Sequence, residues 1–341
     1  MKKFIVIIIL DILMVLCFFL AYGPINYFRE LLITTAMTTK DHKYLARTLY
    51  NEKTIAEVMG KNYLAEINEN TDSSAIKFDE IKETDHYESK YEEEVLKKDE
   101  GNDLYKIVHL TGDTYVGYMV VIYDASKIDL VSTRYLGTQG EFLENMSKHH
   151  KSLISINAGG FADAGGVGSG GIPTGTVISD GEILYQGVDT GWGGGLIGFN
   201  KDNILVLTKD DPETAIKNGM VDAVDFGPFL IVNGKRSIAK GNGGWGLASR
   251  TVIAQRKDGI VLFFVIDGRQ PGYSLGIGMV EMTDLLVKYK AYNAANLDGG
   301  ASSSLVVNGK LYSKPCAVSA TGERWIPNAW MLFDKEKETN S

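Results

Sequence analysis

Apolar positions along the chain fall into three regimes. Residues 4–22 are apolar throughout except for Asp11, and they follow Lys2 and Lys3. Nineteen residues at a helical rise of 1.5 Å span about 28 Å, close to the hydrocarbon thickness of a bilayer. Asp11 costs roughly 2.5–3.5 kcal/mol near the centre, which the surrounding Ile, Leu and Phe side chains offset. No small-x-small cleavage site follows, since Cys17 to Gly23 reads CFFLAYG. The pattern predicts an uncleaved anchor over residues 1–24. The lysines hold the N-terminus in the cytoplasm and place the rest of the chain outside it. In residues 25–65 the apolar spacing turns helical. Leu45 and Leu49 lie four apart, and Thr54-Ile55-Ala56-Glu57 has the form of a capping box. A juxtamembrane helical stalk is expected there.

Beyond Leu104 the pattern changes to short β-rich runs separated by tight turns. Such runs flank Asp180-Gly181 and Asp258-Gly259, and others precede Asn233-Gly234 and Asn308-Gly309. Asn-Gly and Asp-Gly between β-rich runs are strong hairpin signals. Two segments have helical spacing, 140–149 and 279–289, the latter with Met282, Leu285, Leu286 and Tyr289 on one face. The predicted class is α+β: mixed, hairpin-rich sheets with a minority of packed helices, preceded by one transmembrane helix.

Charge adds one boundary. The formal net charge is −8, but residues 66–103 carry 14 acidic residues against five lysines, and the remainder is +1. This stretch reads as an acidic, solvated linker. The folded domain then occupies residues 104–335. A nearly neutral domain offers no basic surface for nucleic acid, and none is expected as a partner. Cys17 lies in the anchor and Cys316 stands alone, so no intramolecular disulfide is expected.

Composition then narrows the chemistry. Of 38 glycines, 30 fall between Gly159 and Gly309, and all five histidines lie at or before residue 150. A histidine-based mechanism in the Gly-rich half would need a histidine brought from outside it. No GxxxxGK[ST] loop is present, and His149-His150 lacks zinc-ligand spacing. Carboxylates, supported by Arg, Asn and Ser, remain, and these are the groups of glycoside hydrolysis. Two apolar strands end alike, in Asn157-Ala158-Gly159-Gly160 and in Asp298-Gly299-Gly300. Each places a polar group at a strand's carboxyl end, where glycine lets backbone approach a ligand.

The stretch Asn296-Leu297-Asp298-Gly299-Gly300-Ala301-Ser302-Ser303-Ser304 resembles the NLDGGGSS signature of the phosphodiester glycosidase family, with Ala301 where a third glycine is usual. Further segments resemble the family in order. They are Asn157–Phe161, Asp225-Phe226-Gly227-Pro228, Ser249-Arg250-Thr251, Asp267-Gly268-Arg269, Gly278 with Glu281, and Arg324 with Asn328. The resemblance covers roughly residues 105–333 and implies hydrolysis of a sugar-1-phosphodiester in cell-surface or exopolysaccharide glycans. The alternative on the same fold is a non-catalytic glycan-binding or polysaccharide-assembly protein. Asp298, Glu281 and Asp267 are the candidate catalytic carboxylates, in that order. Arg250 and Arg269 are assigned the phosphate, because a planar guanidinium binds two oxygens at once. Asn157, Gly159, Gly160, Asp225, Gly299, Gly300, Ser302, Ser303 and Arg324 complete the expected substrate site. Trp192 and Trp245 are candidates for stacking on sugar faces. No cofactor is predicted, and a divalent cation is left open.

Overall fold

The structure, a computed structural model, describes residues 2–39, 42–78, 86–163, 168–187 and 194–335. The chain forms two compact units, one of Met1–Leu64 with Ala239–Leu247, the other of Ala65–Ile238 with Ala248–Ser341.

The first unit is helical. Its helices are Lys2–Tyr22, Asn26–Met37, Lys43–Leu49 and Glu52–Lys61. Lys3–Tyr22 has a mean hydropathy of 3.2, a length and composition shared by signal anchors and transmembrane spans. The other helices bury Ile33, Ala36, Ala46, Tyr50, Ile55 and Val58 together with Ala21. Ala46 and Tyr50 take the inner face, while Leu45 and Leu49 are exposed. The cap of the last helix is Asn51, whose side chain accepts from the Thr54 amide at 2.8 Å. Thr54 is therefore two residues inside the helix, and the expected capping box starts three residues too late. Asn242 ties Ala239–Leu247 to these helices, its side-chain Nδ2 donating to Thr34 Oγ1 and its backbone NH donating to Asn62 Oδ1 (both 2.9 Å).

The second unit contains three antiparallel sheets among the described residues. The largest runs Lys235–Arg236, Phe229–Val232, Ala291–Asn296, Arg250–Arg256, Val261–Ile266, Val116–Ile122, Tyr105–Thr111. A second runs Lys310–Leu311, Leu305–Val307, Ile154–Asn157, Asn328–Leu332, Ile128–Ser132. The third runs Glu182–Tyr185, Val177–Ser179, Met220–Phe226, Gly195–Asn200, Leu205–Thr208. All three contribute to one core, in which Val120 and Phe263, Ile156 and Trp330, and Ile197 and Val224 represent the three sheets. The strands Arg250–Arg256 and Val261–Ile266 are buried at every position, which explains their lack of polar alternation. The hairpins form where Asn and Asp tolerate positive φ: Asp180 (54°), Asn233 (53°) and Asn308 (49°) each precede a glycine.

Helices lie outside the sheets. Leu143–His150 packs Leu143 and Met146 against Val306, Ala329 and Met331. Met279–Lys288 buries Met282, Leu285 and Leu286 and leads into the strand Ala291–Asn296. The architecture is α+β, as the pattern predicts.

The acidic stretch departs from the expected spacer in its described residues. Lys90–Leu96 is a helix with Ser89 as its cap, and Val95 is wholly buried. Glu94 accepts the Tyr289 hydroxyl at 2.5 Å, and Lys290 pairs with Glu88 (2.6 Å) and Glu92 (2.8 Å). Upstream, Glu69 pairs with Lys235, and the Thr71 amide donates to the Leu207 carbonyl. Some of the carboxylates are paired locally, Glu93 with Lys97 and Asp103 with Lys98, and others are paired with lysines distant in sequence.

Candidate active site

The two Gly-Gly strand ends lie on different sheets, and the fold joins them. Asn157 ends Ile154–Asn157, and Asp298 follows Ala291–Asn296 by two residues. The Asp298 amide donates to the Ala158 carbonyl at 3.0 Å, and Asn157 Nδ2 donates to the Asp298 carbonyl at 2.6 Å. Asn157 Oδ1 accepts from Thr251 Oγ1 (2.7 Å) and from the Ser304 amide (3.1 Å). Thr251 comes from the strand beside Ala291–Asn296, and Ser304 closes the signature loop. One buried carboxamide therefore fixes the backbone on both sides of Asp298. Its oxygen and one of its two N–H donors are engaged by the protein, so Asn157 braces the turn that carries Asp298.

A matching contact secures the other strand end. Asn328 Oδ1 accepts the Gly159 amide at 2.7 Å. Gly160 packs flat against Phe226, where a Cβ would stand 2.7 Å from the ring. These glycines serve sheet-to-sheet contact. Asp225 lies on the neighbouring strand Met220–Phe226, half-buried against Gly175.

Asp298 is half-buried, and its Oδ1 accepts the Gly299 amide at 3.0 Å. Gly300 follows at φ +63°, and the Ser249 hydroxyl donates to its carbonyl at 2.8 Å. The Arg269 guanidinium covers Gly300 so closely that a Cβ there would meet its atoms at 2.9–3.0 Å. Arg250 Nη1 lies 4.0 Å from the corresponding position on Gly299. Two guanidinium groups thus converge on the turn that carries Asp298. Burial, reinforced by the Arg269 charge, pushes Arg250 down to about 9. It stays protonated at neutral pH, and the pair presents a strong positive field to an anion. Ser302 and Ser303 are buried behind the turn, and the Ser303 hydroxyl has no hydrogen-bond partner among the described residues.

Against this geometry the comparisons are decisive. Residues 150–333 match the family described as phosphodiester glycosidase. The chain belongs to that family. The match begins later than residue 105, although the strands Tyr105–Thr111 and Val116–Ile122 complete the largest sheet. The SPbeta prophage-derived uncharacterized protein YomE of Bacillus subtilis is 32% identical over 229 residues, 64% of this chain and 34% of that protein. The human N-acetylglucosamine-1-phosphodiester alpha-N-acetylglucosaminidase is 39% identical over 69 residues, 20% of this chain and 13% of that protein. The chain thus spans about a third or less of the length of these relatives. Among solved structures, the catalytic domain of the zebrafish enzyme of that name, auto-inhibited by its pro-peptide, matches with a TM-score of 0.55 and 22% identity. The match covers 70% of this chain and 86% of that one, and it shows a shared fold.

The remaining glycosidase-like motifs divide. Asp267 is buried, with Oδ2 accepting the Tyr273 hydroxyl (2.9 Å) and Oδ1 the Lys314 amide (3.0 Å). Burial raises its pKa, and these bonds oppose the shift. Both oxygens are engaged by the protein, so Asp267 braces the segment that delivers Arg269. Glu281 lies in the first turn of its helix with its surface largely exposed, and partial desolvation of the carboxyl, followed by the Asp113 charge, raises its pKa. Its charged neighbours are Asp113, Lys288 and Asp284, none of them at the Asn157–Asp298 junction. Arg324 pairs with Asp163 at 2.7 Å and lies over the Phe161 ring at 4.7 Å. Trp245 belongs to the helical unit, and Trp192 lies outside the described residues. Among the described residues, no group of three or more His, Cys, Asp or Glu side chains is placed to hold a metal ion.

Two residues escape the motif reading. Asn328 was matched only as part of a closing element, yet it secures Gly159. His109, from the edge strand Tyr105–Thr111, reaches Tyr312, with Nε2 3.2 Å from the hydroxyl. A histidine from outside the Gly-rich half is thus brought to it, and only its exposed, alternating position in a strand hinted at this.

Proposed function

We propose that the protein is a membrane-anchored, extracytoplasmic hydrolase that cleaves the glycosidic bond of a sugar-1-phosphodiester in cell-surface or exopolysaccharide glycans. The observation that carries this reading is the Asp298 carboxylate, fixed beside a Gly-Gly turn on which Arg250 and Arg269 converge. Water attacks the anomeric carbon, the C–O bond to phosphate breaks, and the products are a free sugar and a phosphomonoester. The guanidinium pair holds the phosphate and stabilises the charge that builds on it as the bond breaks. Asp298 supplies the carboxylate of the reacting centre, Asn157 fixes its backbone, and Glu281 is the second carboxylate to be tested. Anchoring by Lys3–Tyr22 places this chemistry at the outer surface of the membrane.

The test is release of sugar from a synthetic sugar-1-phosphodiester, followed by chromatography. Asp298→Asn should lower turnover by about 100-fold or more while ligand binding, measured by calorimetry, persists. Glycan binding without sugar release by the wild-type protein would instead identify a polysaccharide-assembly protein.

A further inference from the structure

The helical unit carries more apolar surface than its own core uses. Ile33, Ala36, Ala46, Tyr50, Ile55 and Val58 fill that core together with Ala21. On the outer side of the same helices, Tyr27, Phe28 and Leu32 of Asn26–Met37 and Tyr44, Leu45 and Leu49 of Lys43–Leu49 are between 37% and 62% exposed. Both sets have the spacing i, i+1, i+5, which at 3.6 residues per turn spans about 140° of a helix. A helix that faces water on its outer side carries polar residues there. On Lys43–Leu49 the charges lie elsewhere. Lys43 and Arg47 are about half a turn away from Leu45, and Arg47 pairs with Glu52 at 3.0 Å.

Hydrogen bonds set the height of this face against the apolar N-terminal helix. The hydroxyl of Tyr22, the last residue of that helix, donates to the Leu49 carbonyl at 2.5 Å, and the Tyr50 hydroxyl donates to the Ala21 carbonyl at 2.9 Å. The Tyr22 and Tyr50 rings lie 5.6 Å apart. Asn26, which opens the next helix, is four residues beyond Tyr22, at most about 14 Å of chain. One helix therefore ends, and the other begins, level with the end of Lys2–Tyr22. The end of a spanning helix lies at headgroup level, where tyrosine is enriched. Arg29, beside Leu32 on its helix, is half-buried and donates to Asn26 Oδ1 at 2.6 Å. A guanidinium at that level also meets lipid phosphate.

We propose that Tyr27, Phe28, Leu32, Tyr44, Leu45 and Leu49 bind the phospholipid surface, so that the helical unit lies in the headgroup layer as a platform in place of the expected stalk. The proposal rests on the membrane-anchored reading above. The leucines and Phe28 enter the upper acyl region, while the hydroxyls of Tyr27 and Tyr44 stay with water and headgroups. Continuity with the apolar helix favours lipid over a second protein chain, because insertion of that helix brings the face to the bilayer. Six side chains hold lipid only reversibly, so the apolar helix anchors the chain and this face orients the unit.

The test reconstitutes the full chain in vesicles of phosphatidylcholine and phosphatidylglycerol containing a phospholipid with a diazirine high in its acyl chain. After irradiation, mass spectrometry maps the labelled residues. Labels should fall on residues 4–22 and on the six side chains of the face, and should miss Lys43 and Arg47. The double variant Leu45→Glu/Leu49→Glu should lose the labels at 44–49 and keep those at 4–22, because carboxylates are costly in the acyl region. Both leucines are exposed, so the variant should keep its helical content by circular dichroism; if it misfolds, the wild-type pattern alone decides. Labels confined to 4–22 in wild type, spread equally over Lys43 and Arg47, or retained at 44–49 in the variant would overturn the proposal. Protein–protein cross-links through 44–49 in place of lipid labels would assign the face to a second chain and likewise overturn it. If residues 4–22 take no label, the anchored reading fails, and flotation with the same vesicles decides the face separately. Flotation lost in the double variant supports it. No flotation by wild type, or flotation unchanged in the variant, overturns it.

Discussion

The carboxamide of Asn157 and the carboxylate of Asp267 show how a polar residue in a family-like motif can serve the protein before it serves a ligand. Asn157 is matched on its oxygen and its nitrogen by two other segments of the chain, the strand carrying Thr251 and the loop from Asp298 to Ser304. Asp267 is matched on both oxygens, and its burial has a consequence that can be measured. Its native pKa lies above its ordinary value of 3.8. The stability it contributes is therefore full below 3.8 and declines as pH rises through the raised native value. Asp267→Asn cannot ionise, so the stability of wild type relative to this variant should fall across that window and level off above it. Urea unfolding at a series of pH values reads the difference directly. A constant or rising difference would show that Tyr273 and the Lys314 amide outweigh burial.

At the scale of elements, local chemistry and distant chemistry part company. The hairpin turns depend on two adjacent residues and were legible as Asp-Gly and Asn-Gly. The helix Met279–Lys288 was legible from the spacing of its apolar face. Lys90–Leu96 was not legible, because Tyr91-Glu92-Glu93-Glu94 taken alone is a row of mutually repelling charges. Its order comes from burial of Val95 and from Tyr289 and Lys290, nearly two hundred residues away. Val95→Ala should then cost about 1–2 kcal/mol, measured by chemical unfolding. Hydrogen exchange should show amides 93–96 protected in wild type and released in the variant. Rapid exchange in wild type would restore the picture of a solvated spacer.

Across the helical unit, the apolar N-terminal helix and the helices that follow it share contacts. Ala21 is buried among the stalk helices, Tyr50 donates to its carbonyl at 2.9 Å, and the Tyr22 hydroxyl donates to the Leu49 carbonyl at 2.5 Å. Removing the apolar helix at the expected boundary, residue 24, discards these contacts. A chain beginning at Leu20 should leave the membrane fraction and keep its helical unit, whereas one beginning at Ile25 should unfold that unit at a lower temperature. Circular dichroism and fractionation of the two truncations distinguish these outcomes. Equal melting of both would place the boundary where the hydropathy pattern alone puts it.

The sequence by itself determined those features that depend on residues close together in the chain. These are the apolar helix at the N-terminus, the hairpin-rich α+β class, the Gly-rich region in which the candidate site lies, and the family motifs containing Asp298, Arg250 and Arg269. Each follows from periodicity, turn stereochemistry or a short contiguous pattern. Only the tertiary structure decided which polar residues are engaged by the protein and which face outward. Asn157 became a brace because Thr251 from one strand and Asp298 and Ser304 from the signature loop meet at it. His109 joined Tyr312 because two sheets bring their strands together. The physical reason is that hydrogen bonding and burial depend on what stands opposite a side chain, and the opposing group is supplied by the fold from elsewhere in the chain.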